Sequence, residues 1–513
     1  MYWQPTVVLP SWHLEDIARD FSEAESATFL HAYAVAFHPF LLAASRHIPA
    51  WKAAASLEVT SAEGVYLIPP PSKEKISPDW YINNPDLLQF LIDKDRSAIY
   101  STISSSEAVQ NLVQQKLELE ISPALLDAVA RNEQRFCALG VTYLLTSLLS
   151  QLMYHYENIQ ETRFEELVVE AAVALISAPN DSEKFDSLFR ESCEQLLESR
   201  EKFYAVETHL VDFCLLGETL SPEDAQSLHR PGHGVTILGT AQNWQKIKAA
   251  TPESANIIQQ GLDSGDLELT GGELFESRTP LLSLQALNWQ LRQGGEVCQQ
   301  AVGHAAKAWG RSTFGLSSQV PLLLKKHGID AAYHLAMDSG VYPEDEQSHF
   351  AWESRGGASV EAISRLPISI DNARSLLKIP ERLSDAINHD HVSCLVLAHW
   401  PRVKNPWLND LICIHERAPI LGKFVRLSEF LQETDGTGHN FNYEQKNYRT
   451  ATLSEFTDLN TPDPLSQFQK FWEAQSVLSR NQRLNTLLNL MGVQTESGDF
   501  VQEQAQLYKV TER

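Results

Sequence analysis

The sequence predicts an α/β protein with a parallel sheet. Between residues 203 and 430, short apolar runs alternate with stretches of helical apolar spacing. This alternation is typical of parallel strands joined by right-handed helical crossovers. Hydrophobic residues make up 43% of the 513 residues and charged residues 21%, as expected of a globular protein with a large core. A closed barrel and an open doubly wound sheet both fit the pattern.

The charge balance restricts the partners. The chain has 41 basic and 66 acidic residues, a formal net charge of −25, so we expect neither nucleic acid nor a membrane as a partner. The first twenty residues lack the features of a signal peptide, and no apolar stretch reaches about 18 residues, so we expect a cytoplasmic protein. The six cysteines form no CxxC pair, which is typical of buried free thiols.

The first 200 residues divide into two segments. Residues 1–100 form an α/β segment with predicted strands Thr6–Leu9 and Val65–Ile68, which could be the first strands of the barrel. The second strand must end at Pro69–Pro71, because proline cannot donate to a sheet. Residues 101–200 have heptad-like apolar spacing and few glycines or prolines, which predicts a helical insert.

Residues 203–430 contain the strand–helix repeat, and residues 440–513 form a helical tail. The predicted strands are Phe203–His209, Val235–Leu238, Leu267–Thr270, Ala331–Leu335, Val360–Arg365 and Cys394–His399. The predicted helices include Glu253–Asp263, Leu284–Trp309, Pro464–Leu478 and Gln482–Met491. Because side chains at the carboxyl ends of parallel strands carry the chemistry of most α/β enzymes, candidate residues are sought there.

The most informative stretch runs from Trp309 to Gly328. Its local pattern predicts a helix that ends near Trp309, a Phe-Gly turn, and a new helix capped by Ser317 with Pro321 in its first turns. Taken alone, the stretch also fits a structural turn.

This stretch resembles the W-x-x-D-x-F-G-H-S segment of the glycoside hydrolases of family 38, the α-mannosidases. The residues that carry the resemblance are Trp309, Phe314, Gly315, Ser317, Pro321 and Gly328, together with Gly265–Glu273 upstream and Phe350–Glu353 with Gly356 and Gly357 downstream. The resemblance implies an incomplete (β/α)7-type parallel barrel of the glycoside hydrolase and deacetylase group. It also implies a carbohydrate or glycoside ligand of the α-mannoside type.

The chain departs from the family pattern at the reacting position. The aspartate that serves the family as nucleophile and zinc ligand is replaced by Ser312, and the histidine of F-G-H-S by Leu316. A retaining glycosidase needs two carboxyl groups about 5 Å apart, and a serine cannot replace the attacking one without a base. We therefore expect Asp338 and Asp212, which both follow apolar runs, to be the catalytic carboxylates; Glu273 and Glu276 also follow predicted strands.

The resemblance implies zinc, held by a His-x-Asp pair after the first barrel strand, by the nucleophile and by a later histidine. Two stretches match the first strand, one leading to His13 and Asp16 and the other to His209 and Asp212, and both are spaced His-x-x-Asp. His399, at the end of an apolar strand, is the candidate for the later ligand. With the nucleophile absent, the cofactor remains unknown.

Aromatic residues suggest where a sugar could bind. Trp400, Arg402 and Trp407 lie in a proline-bracketed loop, and Trp309 begins the family-like stretch. Aromatic faces stack on sugars, although tryptophans packed on the barrel explain this loop equally well. The sequence therefore predicts a divergent family-38-like protein that acts on or binds a glycoside. The alternatives are a non-catalytic carbohydrate-binding or interaction module on the same barrel, and a metal-dependent hydrolase or deacetylase.

Overall fold

The computed structural model describes residues 4–57, 64–85, 87–153, 161–203, 206–335, 337, 346–390, 392–448, 462–493 and 500–509. The chain divides into two compact units. The first consists of Met1–Leu210, Ile368–His399 and Val403–Phe424, and the second of Val211–Pro367, Trp400–Arg402 and Val425–Arg513.

The strands of the described residues are numbered in chain order. They are β1 Pro5–Leu9, β2 Ala50–Ala53, β3 Val65–Ile68, β4 Leu88–Leu91, β5 Thr208–Leu215, β6 Val235–Gly239, β7 Leu267–Gly271, β8 Ala308–Trp309, β9 Ala331–Tyr333, β10 Phe350–Glu353, β11 Ser359–Ile363, β12 Ile368–Ser369, β13 Ser393–His399, β14 Lys423–Val425 and β15 Asn440–Asn442.

The helices are given by their bounds. The α-helices are Ile17–Asp20, Glu23–Ala36, Pro39–Ser45, Pro70–Lys73, Pro78–Asn83, Arg96–Ser105, Glu107–Leu117, Pro123–Arg131, Glu133–Leu152, Glu161–Ser177, Glu183–Phe203, Pro222–Leu228, Ala241–Ala250, Pro252–Ser264, Leu284–Val302, Val320–Lys326, Ala373–Leu376, Ile379–His389, Trp407–His415, Leu427–Glu433, Pro464–Leu490 and Phe500–Lys509. Short 3₁₀ turns lie at Ala54–Ser56, Thr279–Leu281 and Gln445–Asn447.

The first unit contains a small parallel sheet and a helical core. The sheet has the order β2-β1-β3-β4, and every pair in it is parallel. Strand β3 ends at Ile68 as the prolines predict, and Pro70 begins a short helix, where a missing N–H costs nothing. The helical stretch predicted for residues 101–200 is occupied by helices, and the most buried of them is Glu133–Leu152.

The second unit contains the strand–helix repeat. From residue 211 its sheet has the order β5-β6-β7-β8-β9-β11-β10-β15. The pairs from β5 to β9, and β9 with β11, are parallel, whereas β10 runs antiparallel to β11. Helices connect successive strands: Pro252–Ser264 lies between β6 and β7, and Leu284–Val302 lies between β7 and β8. The predicted α/β class with parallel strands is therefore confirmed.

Several boundaries differ from those predicted. Strand β5 begins at Thr208 because the preceding helix continues to Phe203; residues 204 and 205 lie outside the described part. The helix expected to reach Trp309 ends at Val302, where Gly303 adopts a φ of 76°, and Ala308–Trp309 forms β8 instead. The next helix begins at Val320 rather than near Ser317.

Two further sequence expectations can be compared with the structure. All six cysteines are buried and form no disulfide bond, as predicted, and burial raises the pKa of Cys193 to about 12. Within the described residues no single helix is long and apolar enough to span a membrane, although Glu23–Ala36 and Pro39–Ser45 meet that test together, with a bend of 56° between them.

Candidate functional site

The carboxyl ends of β7 and β8 bring two loops together in the second unit. After β7, Gly271 and Gly272 adopt φ values of 128° and 85°, which favour glycine. A β-carbon on Gly271 would lie 2.4 Å from the carbonyl oxygen of Gly239, so the tight approach also requires glycine. The chain then enters the loop that carries Glu273 and Glu276, beside the residues that follow Trp309.

Ser312, Thr313 and Glu276 form a cluster of hydrogen bonds, named here the hydroxyl cluster. The Glu276 carboxylate accepts from the backbone N–H of Ser312 at 2.8 Å and from that of Thr313 at 2.8 Å. It also accepts from Ser312 Oγ, at 2.9 Å to Oε2, and from Thr313 Oγ1, at 2.5 Å to the same oxygen. All three side chains are half-buried. The position that holds the family nucleophile is therefore tied to a carboxylate from the neighbouring loop.

Arg311 fixes the loop that carries Glu276. Its buried guanidinium donates to the carbonyl oxygen of Ser277 and to Thr279 Oγ1. A β-carbon on Gly315 would lie 1.8 Å from Arg311 Nη1, so the Phe-Gly turn leaves room for this side chain only because residue 315 is glycine. The glycine of the family-like stretch thus allows the arginine to reach the neighbouring loop.

Glu273 lies next to Trp309 and Arg311 and is almost fully buried. It accepts a hydrogen bond from Trp309 Nε1 at 3.1 Å, and its Oε2 lies 3.7 Å from Arg311 Nη1. Burial raises the pKa of Glu273 above its usual value; Arg311 and Trp309 oppose this effect, and the charge of Glu276 adds to it. The pKa of Glu273 is therefore higher than that of an ordinary glutamate.

The structure does not bring Asp212 to this edge of the sheet. Asp212 is buried within β5, and its Oδ2 lies 3.0 Å from His233 Nε2. The next residue, Phe213, pairs with Thr236 at the beginning of β6, so Asp212 lies inside β5, level with the amino end of β6. Asp338 lies outside the described residues; the N–H of Met337 donates to the carbonyl oxygen of Ser312 at 3.2 Å.

The predicted metal ligands of the first unit do not converge. His209 Nδ1 lies 3.4 Å from the carbonyl oxygen of Ser393 at the start of β13, whereas His399 ends the same strand. His399 follows Ser393 by six residues of extended strand, so these two ends of β13 are about 20 Å apart. His13 is exposed and Asp16 precedes the helix Ile17–Asp20.

Zinc needs three or four ligands at about 2.0–2.3 Å. Among the residues described, no group of three or more histidine, cysteine, aspartate or glutamate side chains is placed to hold a metal ion. The residues that the structure describes therefore do not fit the zinc site that the resemblance implies.

The predicted sugar-binding residues differ in exposure. Trp309 and Trp407 are buried, and Trp407 stacks on His31 at 5.3 Å, so neither ring has a face free for a sugar. Trp400 is 46% exposed, and Arg402 Nη2 donates to the carbonyl oxygen of Thr219, four residues beyond the end of β5. Of the aromatic candidates, Trp400 has an accessible ring.

Sequence reasoning placed Glu276 among the carboxylates after predicted strands but did not prefer it, and it missed Thr313. The available signal was the Gly271-Gly272 pair, which marks a sharp strand exit, followed by two glutamates three residues apart. Neither glutamate stands out by residue type alone, because 66 residues of the chain are acidic.

Comparisons with known proteins were made for the sequence and for the fold. The model of the "Glycosyl hydrolases family 38 N-terminal domain" matches residues 237–513. No curated protein matches the chain.

Similar solved structures include an alpha-mannosidase from Enterococcus faecalis V583, with 13% identity, 45% of this chain and 30% of that chain covered, and a TM-score of 0.35. A glycosyl hydrolase family 38 protein from Enterococcus faecalis has 11% identity, coverage of 60% and 39%, and a TM-score of 0.34. A 4-alpha-glucanotransferase from Thermococcus litoralis has 10% identity, coverage of 46% and 41%, and a TM-score of 0.34. The matched part thus spans well under half the length of each of these chains.

Proposed function

The chain belongs to glycosyl hydrolase family 38 by its N-terminal-domain region, and from this premise we propose that it binds a glycoside of the α-mannoside type through an altered site. The site is the carboxyl edge of the parallel strands in the second unit, centred on the hydroxyl cluster. We propose further that these strands form the incomplete (β/α)7-type barrel implied by the resemblance.

The hydrogen bonding of the hydroxyl cluster carries this proposal. A retaining glycosidase needs a carboxylate with a free lone pair to attack the anomeric carbon. Position 312 offers a hydroxyl group, and Glu276 beside it accepts from two N–H and two O–H groups. An ionised carboxylate has about four lone-pair sites, and these four donors occupy Glu276, which leaves it to orient its neighbours. The Ser312 hydroxyl, which keeps its lone pairs, is therefore better suited to holding a ligand than to attacking one.

Hydrolysis is the second candidate, and Glu273 is the observation in its favour. A glycosidase acid must hold a proton until the leaving oxygen takes it, and a buried carboxyl group with a raised pKa has that property. Hydrolysis would then need an attacking or activating group other than Ser312. No metal-holding group among the described residues supports the metal-dependent alternative.

The test compares binding with turnover in the same preparation. Titration with methyl α-D-mannopyranoside by calorimetry should give saturable binding, while 4-nitrophenyl α-D-mannopyranoside should not be cleaved above the rate measured without protein. Cleavage that is lost in Glu273→Gln and retained in Ser312→Ala would favour the hydrolase instead. Neither binding nor cleavage across a panel of aryl and methyl glycosides would contradict both candidates.

A further inference from the structure

We propose that Ser312 and Thr313 contact the glycoside as hydrogen-bond acceptors only, and that Glu276 is the positioning residue that imposes this direction. The proposal rests on the proposed function, since it names how that same site would select its ligand. The ligand would be a sugar with two neighbouring free hydroxyl groups, both donating to the protein.

Both hydroxyl groups of the cluster donate their hydrogen to Glu276. Glu276 Oε2 accepts from Ser312 Oγ at 2.9 Å and from Thr313 Oγ1 at 2.5 Å. A carboxylate has no proton to return, so each hydroxyl group must donate its single hydrogen to Glu276. Charge-assisted bonds of this kind are stronger than bonds between neutral groups, and the two hydroxyl rotors are therefore fixed.

The two hydroxyl groups keep their oxygen lone pairs for a ligand. A serine or threonine hydroxyl has one hydrogen and two lone pairs, and once its hydrogen is committed it can only accept. A sugar hydroxyl satisfies such a lone pair by donating its own hydrogen. A deoxy position or a methyl ether has no hydrogen to donate, so a sugar carrying either would leave the protein oxygen unpaired when water is displaced.

The two acceptor oxygens lie close together. Both hydroxyl oxygens bond to the same carboxylate atom, Oε2 of Glu276, so they lie close to each other. Both side chains are half-buried, which leaves part of each accessible. Arg311 holds the Glu276 loop through the carbonyl oxygen of Ser277, so the pair of acceptors is rigidly presented. Two adjacent hydroxyl groups on a pyranose ring match a close pair of acceptors.

The test measures selectivity rather than affinity alone. The ligands are methyl α-D-mannopyranoside and its mono-deoxy and mono-O-methyl derivatives at each ring hydroxyl. The variants are Thr313→Val, which removes the hydroxyl at constant shape, Thr313→Ser, which keeps it, and Ser312→Ala. Ser318→Ala is the matched control, because Ser318 follows a few residues later in the same loop but bonds to Gln445 instead of Glu276.

Two adjacent ring positions should matter. Wild type should bind the parent sugar about 2- to 10-fold more tightly than a derivative altered at either of these two positions. Thr313→Val should lose the preference at one of these positions and Ser312→Ala at the other, whereas Thr313→Ser and Ser318→Ala should keep both. Glu276→Gln should reduce both preferences, because its amide group can donate and so releases the hydroxyl hydrogens.

Two different failures are distinguishable. If wild type binds glycosides but Thr313→Val and Ser312→Ala keep the wild-type preferences, the acceptor assignment is overturned while the proposed function stands. If wild type binds no glycoside of the series, the proposed function fails and the acceptor assignment fails with it. Circular dichroism of each variant shows whether a loss of binding comes from a loss of fold.

Discussion

Single residues of the same type have very different chemical roles in this chain, and hydrogen-bond partners separate them. Glu276 is half-buried and accepts from four donors, so it orients its neighbours. Glu273, three residues earlier, is buried with two partners and has a raised pKa. Asp212 is buried within β5, next to His233. The number and direction of hydrogen bonds, more than residue type, decide which of these carboxyl groups can meet a ligand.

Buried histidines make the stability of the chain depend on pH. His38, in the first unit, is fully buried and caps the helix Pro39–Ser45 by accepting from the N–H of Phe40 at 3.1 Å. Burial lowers the pKa of His38 to about 3. In the unfolded chain the same imidazole takes up its proton near pH 6.5. Between these values the unfolded state binds more protons, so the free energy of unfolding falls as the pH falls through this window.

Replacing His38 with asparagine should remove this contribution. Asparagine can keep the cap through its side-chain oxygen but does not titrate. Urea denaturation from pH 7 to pH 4 should show that the free energy of unfolding falls less steeply in His38→Asn than in wild type, by about 1.4 kcal/mol per pH unit. Parallel pH profiles for the two proteins would show that His38 does not titrate differently in the folded and unfolded states.

At the scale of elements, one helix sets the position of the loop that carries Glu273. Gly294 lies in the helix Leu284–Val302, and a β-carbon there would lie 2.1 Å from the carbonyl oxygen of Gly272. The helix backbone therefore packs directly on this loop. A β-carbon on its neighbour Gly295 would instead point into open space.

This pair of glycines gives a matched prediction. Gly294→Ala should lower the free energy of unfolding by several kcal/mol, or displace the loop, because backbone atoms cannot yield. Gly295→Ala should raise the free energy of unfolding by up to about 1 kcal/mol, because alanine is the better helix former in an open position. Chemical denaturation measures both. Equal effects of the two substitutions would contradict the close packing at Gly294.

Elements whose ends are marked by a clear change in apolar pattern could be predicted from the sequence, and elements without such a change could not. The runs at Val235 and Leu267 are four to five apolar-rich residues between clear helices, and they form β6 and β7. Strand β8 has two residues and no visible alternation, so it was assigned to the preceding helix. The C-terminal helix Pro464–Leu490 is continuous where two helices were predicted, because a polar interval on a surface helix resembles a break.

At the scale of the whole molecule, the family could be predicted from framework residues, whereas the site could not. The match over residues 237–513 agrees with the glycines and aromatic residues of the Trp309 stretch. The hydroxyl cluster joins residues 36 and 37 positions apart, with the helix Leu284–Val302 and strand β8 between them. Spacing along one sequence does not reveal which loops meet at a sheet edge. The departure at Ser312 could be read from the sequence, but its partner Glu276 could not.

The central claim, that a glycoside binds at the hydroxyl cluster, is tested most directly by a crystal structure with methyl α-D-mannopyranoside. We predict density for the sugar at the carboxyl ends of β7 and β8, with two adjacent sugar hydroxyl oxygens within about 3.2 Å of Ser312 Oγ and Thr313 Oγ1. A sugar bound elsewhere, with water left on the hydroxyl cluster, would contradict the account.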